Sequence, residues 1–252
     1  MIDVHAHFAE EGYSFPEEWN KIQGAGVNRV ILAGDNVKHT RMHRDFCKSH
    51  AGAFFTAGVH PSETQNFDGE TLKELKELCK DHKCAAVGEI GLDYHYDDTD
   101  KGKQRRAFEE QLALASEEGL PVQIHSRDAC ADTLAILKNC ERYLKGGILL
   151  HCYSYGKENM EDFLRFGAYF SFGGVACFKN ARKVFESVEI CPAERILSET
   201  DSPYLSPFRG EKNTPANIPV IVGRLAEIRG EEKQILEAQI QANAERLFPK
   251  IK

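Results

Sequence analysis

Eight times along the chain, a short run of apolar, β-prone residues gives way to a longer segment whose apolar residues recur at helical spacing. Few architectures accommodate that alternation. The runs lie at 2–7, 29–34, 54–60, 85–92, 121–126, 147–152, 168–173 and 195–201. Of the segments between and after them, 70–82 carries Leu72, Leu75 and Leu78, 104–118 carries Phe108, Leu112 and Ala115 on one face, and 231–247 is a third helix candidate. Gly119 and Pro121 predict a helix stop before the fifth run, since Gly suits a left-handed cap and Pro cannot extend a helix. Strands alternating with helices imply a parallel sheet, and no linker or shift in composition divides the 252 residues. The expectation is one α/β domain over 1–252, a single (β/α)8 TIM barrel.

The polar residues of most interest fall at the ends of these runs. His5 and His7 end the first, Glu89 lies in the fourth, His125 in the fifth, His151 in the sixth and Asp201 in the eighth. In a barrel the C-terminal strand ends share one rim, so six ligand-type side chains converge there. His5 and His7, two apart on a strand, point to the same side and are able to grip one ion. Taken singly, a His or Glu at a strand end is commonly a solvated or capped residue. Six together change the balance, because so many buried polar groups are costly to satisfy without a cation. Four imidazoles with two carboxylates suit one or two divalent ions, with Mg, Mn and Zn left open, and Glu89 is able to bridge a pair. Asp3 and Glu199, each two residues before a candidate ligand, read as acceptors that orient the ligands. His60 lies on the rim after the third run, as a substrate contact or a solvated residue, and His39, His43, His50, His82 and His95 are expected at the surface.

A net charge of −7 argues against a broad basic surface for nucleic acid, so any phosphate contact has to be local. The eight cysteines form no C-x-x-C pair and read as reduced thiols; Cys152, beside His151, is read as a small buried group in preference to a soft ligand. No secretory pattern opens the sequence and no run approaches membrane-spanning length, so a cytoplasmic protein without membrane contact is expected. The oligomeric state is left open, a monomer being admissible.

The chain resembles the TatD family of metal-dependent deoxyribonucleases, within the wider amidohydrolase-like barrel group. The resemblance rests on Asp3-Val4-His5-Ala6-His7, Gly58-Val59-His60-Pro61, Gly88-Glu89-Ile90-Gly91-Leu92-Asp93-Tyr94, the Q-x3-F-x2-Q-L pattern from Gln104 to Leu112, Ile124-His125-Ser126-Arg127, His151-Cys152-Tyr153-Ser154 and Glu199-Thr200-Asp201-Ser202-Pro203. Lys212-Asn213-Thr214-Pro215 and Asn243 with Leu247-Phe248 extend it to the tail. It implies the same six metal ligands. Two positions depart from the family: Tyr153 stands where Phe is usual and Tyr155 where Gly is usual, implying a differently shaped loop after the sixth strand. Some branches of the wider group use a carboxylated Lys between metals; strand four offers Glu89 and no Lys, which disfavours a dihydroorotase- or phosphotriesterase-like assignment.

The reaction expected from these residues is hydrolysis of phosphodiesters in DNA, with Asp201 and Glu89 as the catalytic carboxylates, Asp201 accepting the proton of the attacking water. Arg127 and Ser154 are candidates to orient the phosphate, beside His60. No base-reading element is evident, so low sequence specificity is expected; action on strand ends follows from the resemblance. The rival readings are a hydrolase of a small ester, lactone or amide on the same site, and a barrel that binds without catalysing.

Overall fold

The computed structural model describes residues 1–7, 15–96 and 99–252. Eight parallel strands alternate with helices: β1 (Ile2–Ala6), α1 (Phe15–Gly24), β2 (Arg29–Leu32), α2 (Val37–Cys47), β3 (Ala53–Ala57), α3 (Gly69–Cys79), β4 (Cys84–Asp93), α4 (Lys101–Glu118), β5 (Val122–Arg127), α5 (Cys130–Asn139), β6 (Ile148–Leu150), α6 (Lys157–Leu164), β7 (Tyr169–Phe172), α7 (Arg182–Ile190), β8 (Ile196–Ser198), α8 (Ile218–Arg229) and α9 (Lys233–Leu247). The strands pair in sequence order. The barrel closes where the N–H of Asp201 donates to the His5 carbonyl at 2.9 Å and that of His7 to the Ser202 carbonyl at 2.7 Å. This is the (β/α)8 TIM barrel expected from the alternation. Among the described residues, no helix is long and apolar enough to cross a membrane.

Every residue of β1, β3, β4, β6, β7 and β8 is buried, as continuous apolar strands require when helices cover the outer face. Phe108 and Leu112 of α4 are fully buried against the sheet; each such side chain contributes roughly 1.5–3 kcal/mol by leaving water. Gly119 caps α4 in the left-handed region, at φ 64°, as its place before Pro121 predicts.

Two differences from the sequence expectation affect the site. Several strands are shorter than the apolar runs, so His7, His151 and Asp201 follow β1, β6 and β8 instead of lying on them. Asp201 has φ 56°, a left-handed turn that re-aims a side chain where an extended strand would carry it past the mouth. The second concerns His43, which is fully buried: with Thr40 and Cys47 it forms the inward face of α2, a helical stripe that polar residues disguise. His39 and His50 are half-buried, and His82 and His95 are exposed.

Candidate metal centre

Glu89 is the middle of the cluster. The ladder registers shift between Val87 and Ile90 in β4 and between Asp3 and Ala6 in β1, the stretches that carry Glu89 and His5, and such irregularities re-aim side chains. The Glu89 carboxylate is buried, and its two oxygens face different imidazoles. Oε1 lies 2.8 Å from Nδ1 of His125 and 2.8 Å from Nε2 of His151. Oε2 lies 3.3 Å from Nε2 of His5 and 3.4 Å from Nε2 of His7. Oδ1 of Asp201 stands 3.5 Å from Nε2 of His7 and 3.7 Å from Nε2 of His5. The ligand-type atoms thus fall into two sets, His5, His7 and Asp201 on one side and Glu89, His125 and His151 on the other, and Glu89 faces both.

Whether this set suits a cation is tested by where its protons lie. The amide N–H of Gln123 donates to the Val4 carbonyl at 2.7 Å, which turns its oxygen toward Nδ1 of His5 at 3.0 Å. Nδ1 of His5 therefore carries the proton, and Nε2 presents a lone pair to the cluster, as metal ligation requires. Behind His151, Glu199 Oε1 lies 3.7 Å from Nδ1, and both atoms are buried without a hydrogen-bond partner. Behind His125, Asp93 Oδ2 lies 3.0 Å from Nε2. Imidazoles backed by acceptors are the arrangement that orients ligands and raises their basicity.

The charges agree. Burial disfavours a charged His7, yet its hydrogen bond to Asp201 and the Glu89 and Asp201 carboxylates outweigh this and raise it to about 9. His151 is also held well above the ordinary range, burial opposing and Glu89 and Glu199 prevailing. Glu89 is driven well below the carboxylate range, against burial, by His151, His60 and His5. Without a cation, protons on the histidines balance the carboxylates. A divalent ion supplies the same positive charge with lone pairs directed at it, so the residues fit one or two such ions.

The structure brings all six candidate ligands together. Arg127 and Ser154 are exposed on the rim, outside the cluster. His60 reaches it, with Nε2 3.5 Å from Glu89 Oε1. The backbone N–H of Ser62 donates to Nδ1 of His60 at 3.2 Å, so the neutral ring carries its proton on Nε2 and offers a donor to the mouth. Burial pushes His60 down to about 3 and keeps it neutral. Asp3 departs from expectation. Its carboxylate touches backbone, accepting from the N–H groups of His5 at 3.2 Å and Thr200 at 3.0 Å and from the Thr200 hydroxyl at 2.5 Å. It therefore seats β1 on the segment after β8, and it orients His5 through the main chain and not through the ring. The thiol of Cys152 is raised well above its ordinary range by burial and the neighbouring carboxylates, which keeps it protonated and unlike a soft ligand. Tyr155 fills its loop, its hydroxyl 2.9 Å from Ser126 Oγ and accepting from the Ala129 N–H at 3.2 Å.

Sequence reasoning missed Gln123 and Asp93 as parts of the site. A signal existed: Gln123 lies two residues before His125 and Asp93 four after Glu89, on the same faces of their strands. An amide is not a ligand type, and Asp93 was read only as part of a motif. The two glutamines of the Q-x3-F-x2-Q-L pattern also gain a role. Gln104 accepts from the Asp93 N–H at 2.9 Å and donates to the Asp93 carbonyl at 3.0 Å. Gln111 does the same for Val59, at 2.7 and 3.2 Å, so α4 holds the backbone at Asp93 and beside His60.

Comparison with known proteins places these features in context. The family model described as TatD related DNase matches residues 2–249. The metal-dependent hydrolase YabD of Bacillus subtilis is 34% identical over 252 residues, 98% of each chain. The 3'-5' ssDNA/RNA exonuclease TatD of Klebsiella pneumoniae is 32% identical, covering 98% of this chain and 97% of its own. The crystal structure of YJJV, a TatD homologue from Escherichia coli K12, superposes with a TM-score of 0.93 at 27% identity, over 99% of this chain and 98% of that one.

Proposed function

The chain belongs to the TatD related DNase family of metal-dependent hydrolases, and from that premise we propose that it cleaves phosphodiester bonds of DNA, working from strand ends with little regard to sequence. The observation that carries this reading is the placement of Glu89 between two sets of ligand atoms, an arrangement suited to holding two cations a bridging carboxylate apart. When bound, such ions polarise a phosphoryl oxygen and lower the pKa of a coordinated water.

The protein's own residues supply the rest. Asp201 remains ionised against burial, through its hydrogen bond to His7 and the neighbouring histidines. Its carboxylate, 14% exposed, is the one that accepts the water's proton. His60 donates its Nε2 proton to a non-bridging phosphate oxygen, a role that its neutral state and its Nδ1 acceptor bond support. Arg127 and Ser154 meet the backbone at the rim. With phosphate contacts confined to the mouth and a net charge of −7, sequence selectivity is low. All eight cysteines are free thiols, which fits a reducing cytoplasm.

The test is digestion of end-labelled single-stranded DNA by metal-stripped protein re-supplied with Mg2+, Mn2+ or Zn2+, with Glu89→Gln and Asp201→Asn alongside. Progressive shortening that needs metal and is lost in both variants is the expected result. Protein that binds metal yet digests nothing under any of the three overturns it.

A further inference from the structure

Eight large hydrophobic side chains are exposed among the described residues, and four of them, Tyr96, Tyr204, Leu205 and Phe208, lie on loops at the mouth of the barrel. Tyr204 is 49% exposed, and its ring centroid is 6.2 Å from that of His7. Tyr96 is 57% exposed, with the Arg127 guanidinium 5.8 Å from its ring centroid. Tyr204 follows β8 and Tyr96 follows β4, four strands apart in a closed ring of eight, so the two rings stand on opposite walls with Glu89 between them.

The loop that carries Tyr204 is firmly built. Its N–H donates to the Asp201 carbonyl at 2.9 Å. Buried Asn213 donates to the Thr200 carbonyl at 2.7 Å, and its N–H donates to the Pro203 carbonyl at 3.0 Å. Gly174 packs so closely that a Cβ there would lie 1.9 Å from the Leu205 carbonyl oxygen. A loop held in this way keeps an aromatic ring at the surface, beside a phosphate-handling centre and with exposed Arg209 on the same loop. Scattered exposed apolar groups are ordinary; aromatic rings facing each other across a mouth, each with a guanidinium on its wall, match the chemistry of a single strand, whose bases stack while its phosphates seek cations.

We infer that Tyr204 and Tyr96 are stacking platforms for the nucleobases on either side of the scissile phosphate of single-stranded DNA, one holding the nucleotide to be released and the other the strand that remains. This rests on the nuclease reading above and goes beyond it by assigning the base-binding groups. Stacking accepts every base, which accounts for low sequence selectivity together with a preference for unpaired ends.

The experiment uses the metal-loaded protein and two oligonucleotides, one complete and one whose last two nucleotides are abasic. Wild type is expected to show a KM roughly tenfold higher on the abasic strand, the size of one stacking contact. Tyr204→Leu and Tyr96→Leu should raise KM on the complete strand and respond less to the abasic change, while Tyr204→Phe restores wild-type behaviour. A 2-aminopurine in the terminal positions, dimmed on binding to wild type, should stay bright with the Leu variants. Equal KM for both strands in wild type, or Leu variants that discriminate as wild type does, overturns the stacking assignment and leaves the nuclease reading standing. Failure of wild type to cleave either strand overturns both.

Discussion

The amide of Gln123 joins two strands and sets a tautomer: its nitrogen donates to the Val4 carbonyl at 2.7 Å and its oxygen faces Nδ1 of His5 at 3.0 Å. The lone pair that His5 shows to the site is therefore prescribed by a residue 118 positions away. Replacing Gln123 with Leu removes the acceptor and leaves the Val4 carbonyl buried without that donor, at a cost of about 1–3 kcal/mol. Metal affinity should fall roughly 10- to 100-fold, measured by competition with a chromophoric chelator. Wild-type affinity in a folded Gln123→Leu protein would show that the tautomer is set elsewhere.

Metal removal should destabilise the fold. The ions bind the assembled cluster and not the unfolded chain, so at about one hundred times the dissociation constant they stabilise by about 2.7 kcal/mol. For a chain of this size that corresponds to a melting shift of roughly 5–10 °C. Thermal melts with and without chelator measure it, and Glu89→Gln should shrink the shift. Identical melting of stripped and loaded wild type contradicts a metal that belongs to the fold.

His43 predicts an acid limb. Burial, with the His7 and His39 charges, lowers it from its ordinary 6.5 to about 3. Because the folded value is depressed, its contribution is fully present above 6.5 and is lost as pH falls toward 3, at about 1.4 kcal/mol per pH unit. His43→Gln, which cannot take up a proton, should flatten that part of the profile in denaturant titrations at pH 7, 6, 5 and 4. An unchanged slope means that other groups carry the acid sensitivity.

Gln111 ties α4 to the peptide before His60. Gln111→Leu strips the partners from the Val59 N–H and carbonyl, so a loss of about 2–4 kcal/mol is expected in denaturant midpoints. His60 is displaced with it, and turnover should fall by more than metal affinity does. A variant that loses stability but keeps full turnover would separate the clamp from His60.

Much of this protein is legible before any tertiary structure. The eight apolar runs specify parallel strands because strands covered on both faces cannot alternate with polar residues. Once a barrel follows, His5, His7, Glu89, His125, His151 and Asp201 must share a rim, since every parallel strand ends on the same side. The helix stop at Gly119 was local chemistry and was equally readable. His43 was not, because burial is a property of the surface a helix faces, and a single His on α2 carries no mark of what packs against it.

Other features were decided only by the closed barrel. The division of four imidazoles between the two oxygens of Glu89 depends on register breaks in β1 and β4 and on the left-handed turn at Asp201, which are settled by cross-strand packing. The carboxylate of Asp3 went to backbone because closure brought the Thr200 N–H and hydroxyl to it. The acceptors behind His5 and His125 come from other strands. Sequence determined which groups stand at the mouth, through periodicities that act within one element. Tertiary structure decided which atom of each group faces which partner, because hydrogen-bond geometry is set between elements that no local pattern connects.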